Sequence, residues 1–147
     1  MKKLIMGLAA LCLSASLFGC GSSNDAAAEP EQPQIPDLAG EWKQVNSNSD
    51  DTYHAATIDG ETIEIYWITE SDETKALYWA GTFVAPETAD EPYTWESAND
   101  KEKTDNALLA SGDDTKTFTY EDGQISYEAS AMGVTQTVRL EKQTITK

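Results

Sequence analysis

Short segments of alternating apolar and polar side chains dominate the chain from residue 40 onward. In residues 61–69, Ile63, Ile65 and Trp67 fall on one face of an extended chain. The polar residues between them fall on the other face, together with Tyr66. A period of two with one polar face is typical of a half-buried antiparallel sheet.

Turn signals divide this region into nine candidate strands. Asp59-Gly60 and Asp122-Gly123 suit tight hairpins, because both residue types tolerate the positive φ that such turns need. The candidates are GEWKQV (40–45), TYHAATI (52–58), ETIEIYWIT (61–69), KALYWAGTFV (75–84), YTWES (93–97), NALLAS (106–111), TKTFTYE (115–121), QISYEAS (124–130) and VTQTVRLE (134–141). They predict an all-β domain, an antiparallel up-and-down barrel of about eight or nine strands, with a β-sandwich as the alternative.

Residues 98–110 are the ambiguous part of this pattern. A short helix is one interpretation, and a polar loop that runs into the strand 106–111 is the other. We favour the loop and strand, because aromatic and β-branched residues recur along the domain and long helical periodicities are missing.

The first and last strands would be exposed edges if the sheet stayed open, and such edges promote aggregation. We therefore predict that residues 40–45 pair with residues 134–141 and close the barrel. Trp42 and Arg139 would then lie on adjacent strands, where a guanidinium over an indole contributes about 0.5–2 kcal/mol. Alternation places Arg139 outside and Trp42 inside, so this contact needs a bulge or the end of the barrel.

The N-terminal segment has the pattern of an export signal. Lys2 and Lys3 precede an uncharged run, residues 4–17, which is shorter than the roughly 18 residues of a membrane-spanning helix. The run ends in Leu-Phe-Gly-Cys, residues 17–20, which resembles the lipobox of bacterial lipoproteins. The resemblance implies that residues 1–19 are removed, that Cys20 carries a diacylglyceryl group, and that the protein is extracytoplasmic and anchored to the cell membrane. The alternative is an ordinary signal peptide followed by a free cysteine.

Residues 21–36, GSSNDAAAEPEQPQIP, are small, polar and rich in proline. Such a composition buries too little apolar surface to offset the entropy of ordering. We predict a flexible tether over residues 20–36 and a folded β-barrel domain over residues 37–147. Cys12 leaves with the signal peptide and Cys20 carries the lipid, so the mature chain has no disulfide.

The chain is strongly acidic, with a formal net charge of −16. Removal of residues 1–19 takes away two lysines and no acids, which gives −16 − 2 = −18. A field of this sign opposes nucleic acid and anionic lipid headgroups, so membrane affinity must come from the lipid on Cys20. The acidity fits either solubility or attraction to a basic partner, and we expect a monomer.

Residues for catalysis or metal binding do not stand out. His54 is the only histidine, and we expect a packing or surface residue, without a catalytic triad or a zinc site. Residues 46–57 resemble a calcium loop, but Asp51 and Thr57 stand where glycine and glutamate are needed. Paired acids elsewhere lie in turn-forming stretches. We therefore predict no enzyme, no metal and no cofactor.

Three candidate strands each carry two aromatic residues, which are adjacent in two of the strands and two positions apart in the third. One set can fill the core, and the other contacts solvent, a ligand or a partner unless both faces are covered. The candidate binding residues are Tyr66, Trp67, Tyr78, Trp79, Tyr93 and Trp95.

The segment DLAGEWKQV resembles the opening of lipocalin-like proteins, where Gly-x-Trp, here Gly40 and Trp42, begins the first strand of a closed barrel. That family also carries an arginine on the last strand, which corresponds to Arg139, the only arginine here. The resemblance implies a non-catalytic barrel that binds a small apolar ligand or another protein.

The lipobox, the tether and the small β domain together are also similar to short lipoproteins of Gram-positive bacteria and their prophages. Several of those proteins act at the cell surface against the entry of phage DNA. This similarity implies instead an inhibitor that blocks an incoming macromolecule or a basic protein.

Overall fold

The structure is a computed structural model that describes residues 32–144. The signal segment 1–19, Cys20 and most of the predicted tether lie outside the described residues. Residues 32–39 form neither helix nor strand, and Leu38 is the first buried side chain. No helix in the described range is long and apolar enough to cross a membrane.

Eight of the nine predicted strands are present and form one antiparallel sheet curled into a nearly closed barrel. The prediction of an all-β, up-and-down barrel is confirmed, because the strands pair in sequence order within each half of the sheet. The strands are β1 (Gly40–Gln44), β2 (Thr52–Asp59), β3 (Thr62–Thr69), β4 (Thr74–Thr82), β5 (Tyr93–Ala98), β6 (Thr115–Glu121), β7 (Gln124–Ala131) and β8 (Val134–Lys142).

The predicted strand at residues 106–111 is wrong. The chain forms the short helix α1 (Lys101–Thr104) and then turns. This segment contacts β4 at separated points, since the N–H of Asp100 donates to the carbonyl of Ala80 and that of Ser111 to the carbonyl of Tyr78, both at 2.8 Å. Bonds so far apart do not build a strand ladder, and the alternative of a short helix describes the segment better.

The predicted pairing of the first and last strands is confirmed, with Trp42 opposite Lys142 and Gln44 opposite Leu140. This pairing lies in the middle of the sheet, however, and the edges that remain are β4 and β5. The connection 83–92 carries the chain away from β4, and among the described residues the strand pairing between these two edges is reduced to one isolated bridge, between Gly81 and Asn99. We call this junction the seam.

A bulge in β4 decides where its aromatic residues point. Ile65 of β3 lies opposite Trp79, whereas the next residue, Tyr66, lies opposite Leu77. Tyr78 is therefore an extra residue in β4, and such a bulge interrupts the alternation of side chains. As a result Tyr78 and Trp79 are both buried, at 2% and 0% exposure.

Large side chains from the strands meet inside the barrel and fill it. The core residues with at most 2% exposure include Trp42, Ile58, Ile63, Ile65, Trp79, Phe118, Ile125, Val138 and Leu140. Across the seam, the indole N–H of Trp79 donates to the Ser97 hydroxyl at 3.0 Å. The interior therefore consists of packed side chains, as in small barrels that lack a ligand chamber.

Candidate functional site

The structure separates the six candidate aromatic residues by their surroundings. Three of them belong to the core: Tyr78, Trp79 and Trp95. Trp67 and Tyr93 are partly buried and pack against that core. Tyr66 lies on the outer face, opposite Leu77. The six residues therefore do not form one binding surface, because the bulge and the curvature of the sheet turn most of them inward.

The structure does not show the stacking of Arg139 on Trp42 that was considered above, and Gly40 has a role of its own. Trp42 is buried, and its indole N–H donates to the carbonyl of Leu38 at 3.0 Å. Gly40 begins β1 with a φ of 122°, which favours glycine. Arg139 is exposed, because its two neighbours along β8 point inward. Trp42 and Arg139 thus lie on opposite faces, and the lipocalin resemblance loses this contact.

His54 is a core residue enclosed by aromatic rings. It is 0% exposed, and its ring stands perpendicular to that of Trp67 at a centroid distance of 3.8 Å. The ring of Tyr78 lies 4.8 Å away, and the hydroxyl of Tyr127 hydrogen-bonds to Nδ1. Burial, together with the positive charge of Lys116, lowers the pKa of His54 to about 4. His54 is therefore neutral at pH 7.

Lys116 fills a gap in the barrel wall. We did not predict this role from the sequence. The pairing of β6 with β7 extends from the hairpin turn only to Thr119 and Ser126. Beyond that point the buried ammonium of Lys116 donates to the carbonyl of Glu128 and to the carboxylate of Asp113, both at 3.1 Å. Its position two residues before Phe118 is the sequence signal for an inward side chain.

One end of the barrel, which we call the far end, contains a small apolar cup. The far end carries the connections 45–51, 70–73, 99–114 and 132–133, whereas the chain enters β1 at the opposite end. The cup has a volume of about 150 Å³ and is lined by Trp67, Ala129, Ala131, Val134 and Gln136. The small alanines of β7 leave the room that a larger side chain would occupy.

The hairpin beside the cup is apolar and exposed. Met132 and Val134 are 104% and 66% exposed. Met132 and Gly133 both have positive φ, at 52° and 77°, which is the geometry of a tight two-residue hairpin. The hairpin thus holds two uncovered apolar side chains next to the partly buried Trp67.

Acidic residues are concentrated in the connections at the far end, the same end of the barrel as the cup. The four connections of the far end contain ten acids and two lysines, a formal charge of −10 + 2 = −8. Two of these connections are joined, since the carboxylate of Asp51 accepts hydrogen bonds from the N–H and the hydroxyl of Ser71 at 2.7 and 2.9 Å. The far end therefore carries both the apolar cup and an excess of negative charge.

A second concave surface, of about 220 Å³, lies on the outer face of the first strands. The ammonium groups of Lys43 and Lys75 lie 4.0 and 3.9 Å from the ring centres of Tyr53 and Tyr66. The Tyr66 hydroxyl donates to Glu64 at 2.6 Å, and this hydrogen bond, with burial, raises the pKa of Tyr66 to about 12. The polar groups of this surface thus engage one another.

Within residues 32–144, no group of three or more His, Cys, Asp or Glu side chains is placed to hold a metal ion. Comparison of the chain with protein-family models, with curated proteins and with solved structures finds no match.

Proposed function

We propose that this chain is a lipid-anchored, extracytoplasmic binding protein without catalytic activity, which contacts another macromolecule through its surface. The observation that supports this proposal is the filled barrel. Fully buried side chains such as Trp79, Phe118 and Leu140 occupy the interior where a lipocalin-like ligand would lie. The cup, the concave surface on the outer face of the first strands and a third concavity beside the seam have volumes of about 150, 220 and 280 Å³. Each is smaller than the roughly 300 Å³ at which small-molecule pockets begin.

A non-catalytic role fits the surroundings of the titratable groups. His54 is shielded from solvent by Trp67, Tyr78 and Tyr127. Hydrogen bonds from Ser111 and Lys116 lower the pKa of Asp113, so this partly exposed carboxylate is ionised at pH 7 and cannot act as a general acid.

The arrangement of the chain also fits an anchored binding protein. Residues 32–39 lead into β1 at the end of the barrel opposite the cup. We propose that the far end, which carries the cup, contacts a partner. Blocking of an incoming macromolecule or a basic protein is one form that such contact takes.

Two measurements on the full-length chain test the proposal. Mass spectrometry of the membrane fraction should show cleavage before Cys20 and a diacylglyceryl adduct, and Cys20→Ala should release the protein. Titration of the detergent-extracted mature protein with Nile red should show no saturable one-to-one binding. An unmodified soluble wild-type protein would refute the anchor, and stoichiometric Nile red binding that quenches the buried tryptophans would refute the surface-binding function.

A further inference from the structure

We infer that the cup at the far end is the docking site for a basic polypeptide segment that inserts one apolar side chain. This inference rests on the proposed function, because it names the surface and the class of partner through which the binding protein acts.

The size of the cup limits its occupant to a single side chain. A cavity of about 150 Å³ with apolar walls accommodates a benzene-sized group. An aromatic or long aliphatic side chain has this size, whereas a drug-sized molecule needs roughly twice the volume. The side chain must enter from solvent, because Ala131 and Val134 in the wall of the cup are themselves exposed.

The wall of the cup is rigid where an anchor residue would contact it. The ring of Trp67 packs edge-on against those of His54 and Tyr78, at centroid distances of 3.8 and 5.8 Å. A fixed aromatic surface loses little conformational entropy on binding, and such positions dominate the affinity of protein interfaces. Gln136 adds an amide at the rim that can hydrogen-bond to a partner's backbone.

The hairpin extends the apolar contact beyond the cup. Met132 and Val134 are exposed beside it, and methionine adapts its shape to different partners. An inserted side chain and its flanking residues would cover both, so docking removes apolar surface that the free protein leaves in water.

Charge complementarity determines the sign of the partner. The connections at the far end carry a formal charge of −8, and the whole chain is acidic. A segment with lysine or arginine on both sides of its apolar residue is attracted to this end of the barrel, where the cup lies. An acidic segment or a nucleic acid is repelled by the same field.

The test uses fluorescein-labelled peptides made of lysine and glycine, with one central phenylalanine, and the full-length mature protein in detergent. Fluorescence anisotropy should show saturable binding of this peptide. A peptide of equal charge with serine in place of phenylalanine should bind at least about tenfold more weakly, which corresponds to about 1.4 kcal/mol. A glutamate peptide with the same phenylalanine should not bind.

Three variants locate the site. Ala131→Phe fills the cup, and Val134→Lys places a charge at its wall. Each variant should therefore bind the phenylalanine peptide at least about tenfold more weakly than the wild type does. Val84→Lys is the matched control, because Val84 is also exposed (57%) but lies in the connection 83–92 at the opposite end. It makes the same substitution and should change the affinity by less than about twofold.

The outcomes separate this inference from the proposed function. If the phenylalanine peptide binds all three variants with wild-type affinity, the cup is not the docking site. The proposed surface binding would remain intact. Equal affinity for the phenylalanine and serine peptides, or no binding of either, would overturn the inserted side chain. The anchor and the filled interior are judged separately, by the lipid on Cys20 and by Nile red.

Discussion

His54 illustrates how a single polar residue is accommodated in an apolar barrel. The hydroxyl of Tyr127 bonds to Nδ1, and rings of Trp67 and Tyr78 cover the imidazole. A positive charge in this position would be poorly solvated, and Lys116 already carries one nearby. The core therefore favours the neutral form of the ring, and the pKa of His54 falls to about 4.

The first prediction concerns stability at low pH. Because the pKa of His54 is about 4 in the folded state and 6.5 for a free histidine side chain, the unfolded chain takes up a proton first as the pH falls. The contribution of His54 to the free energy of unfolding is fully present above pH 6.5. It decreases by about 3 kcal/mol as the pH falls from 6.5 to 4.

Urea unfolding of the wild type and of His54→Gln at several pH values measures this effect. The carboxylates contribute to both proteins, so the difference between their free energies of unfolding isolates the histidine. We expect the free energy of unfolding of the wild type, minus that of His54→Gln, to decrease as the pH falls from 6.5 to 4, because only the wild type has the histidine. A constant difference, or an NMR titration of the single histidine with a midpoint near 6.5, would show that the ring is solvated.

At the scale of elements, the seam depends on a glycine. A Cβ at Gly81 would lie 2.4 Å from the Ser97 hydroxyl, 2.6 Å from the Ala98 carbonyl and 2.7 Å from the Trp79 indole nitrogen. The carbonyl belongs to the backbone of β5, so relief of the clash requires the two edges of the sheet to move apart.

The second prediction is that Gly81→Ala lowers the free energy of unfolding by about 1–3 kcal/mol, the usual cost of overpacking. Urea unfolding measures it. Gly112→Ala is the matched control, because a Cβ there meets no atom of the described residues within 4 Å, and its effect should be small. A Gly81→Ala protein as stable as this control would mean that the seam is loosely packed.

Element by element, alternation predicted most of the fold. It identified the inward face of β3 through Ile63 and Ile65, and edge protection predicted the pairing of β1 with β8. It did not reveal the bulge, because Tyr78 and Trp79 are both large aromatic residues and either phase of β4 looks equally apolar. It also misjudged residues 106–111, whose conformation depends on hydrogen bonds to β4 rather than on their own pattern.

The candidate site was harder to predict from the sequence than the fold was. The cup combines Trp67 of β3 with Ala129 and Ala131 of β7 and Val134 of β8, and β3 is far from the β7–β8 hairpin in the chain. Its volume comes from small residues, which carry no signal of their own in a sequence. Trp67 was among the candidates because of its type, but its separation from the buried Trp79 required the register of the sheet.

The described domain combines a filled interior, an acidic surface and a small apolar cup at the end opposite the start of β1. Each feature alone is compatible with a structural role. Together they support the proposal that a partner binds at the surface of the barrel. Trp67 is the partly exposed tryptophan, whereas Trp42, Trp79 and Trp95 are enclosed.

Acrylamide quenching of tryptophan fluorescence tests this account most directly. In the wild-type protein the quenchable fraction should come from Trp67, so Trp67→Phe should remove most of it, and Ala131→Phe should reduce it by covering the indole. Both variants should keep the wild-type circular dichroism spectrum. Strong quenching that persists in Trp67→Phe would mean that quencher reaches the other tryptophans, and the filled barrel would be contradicted.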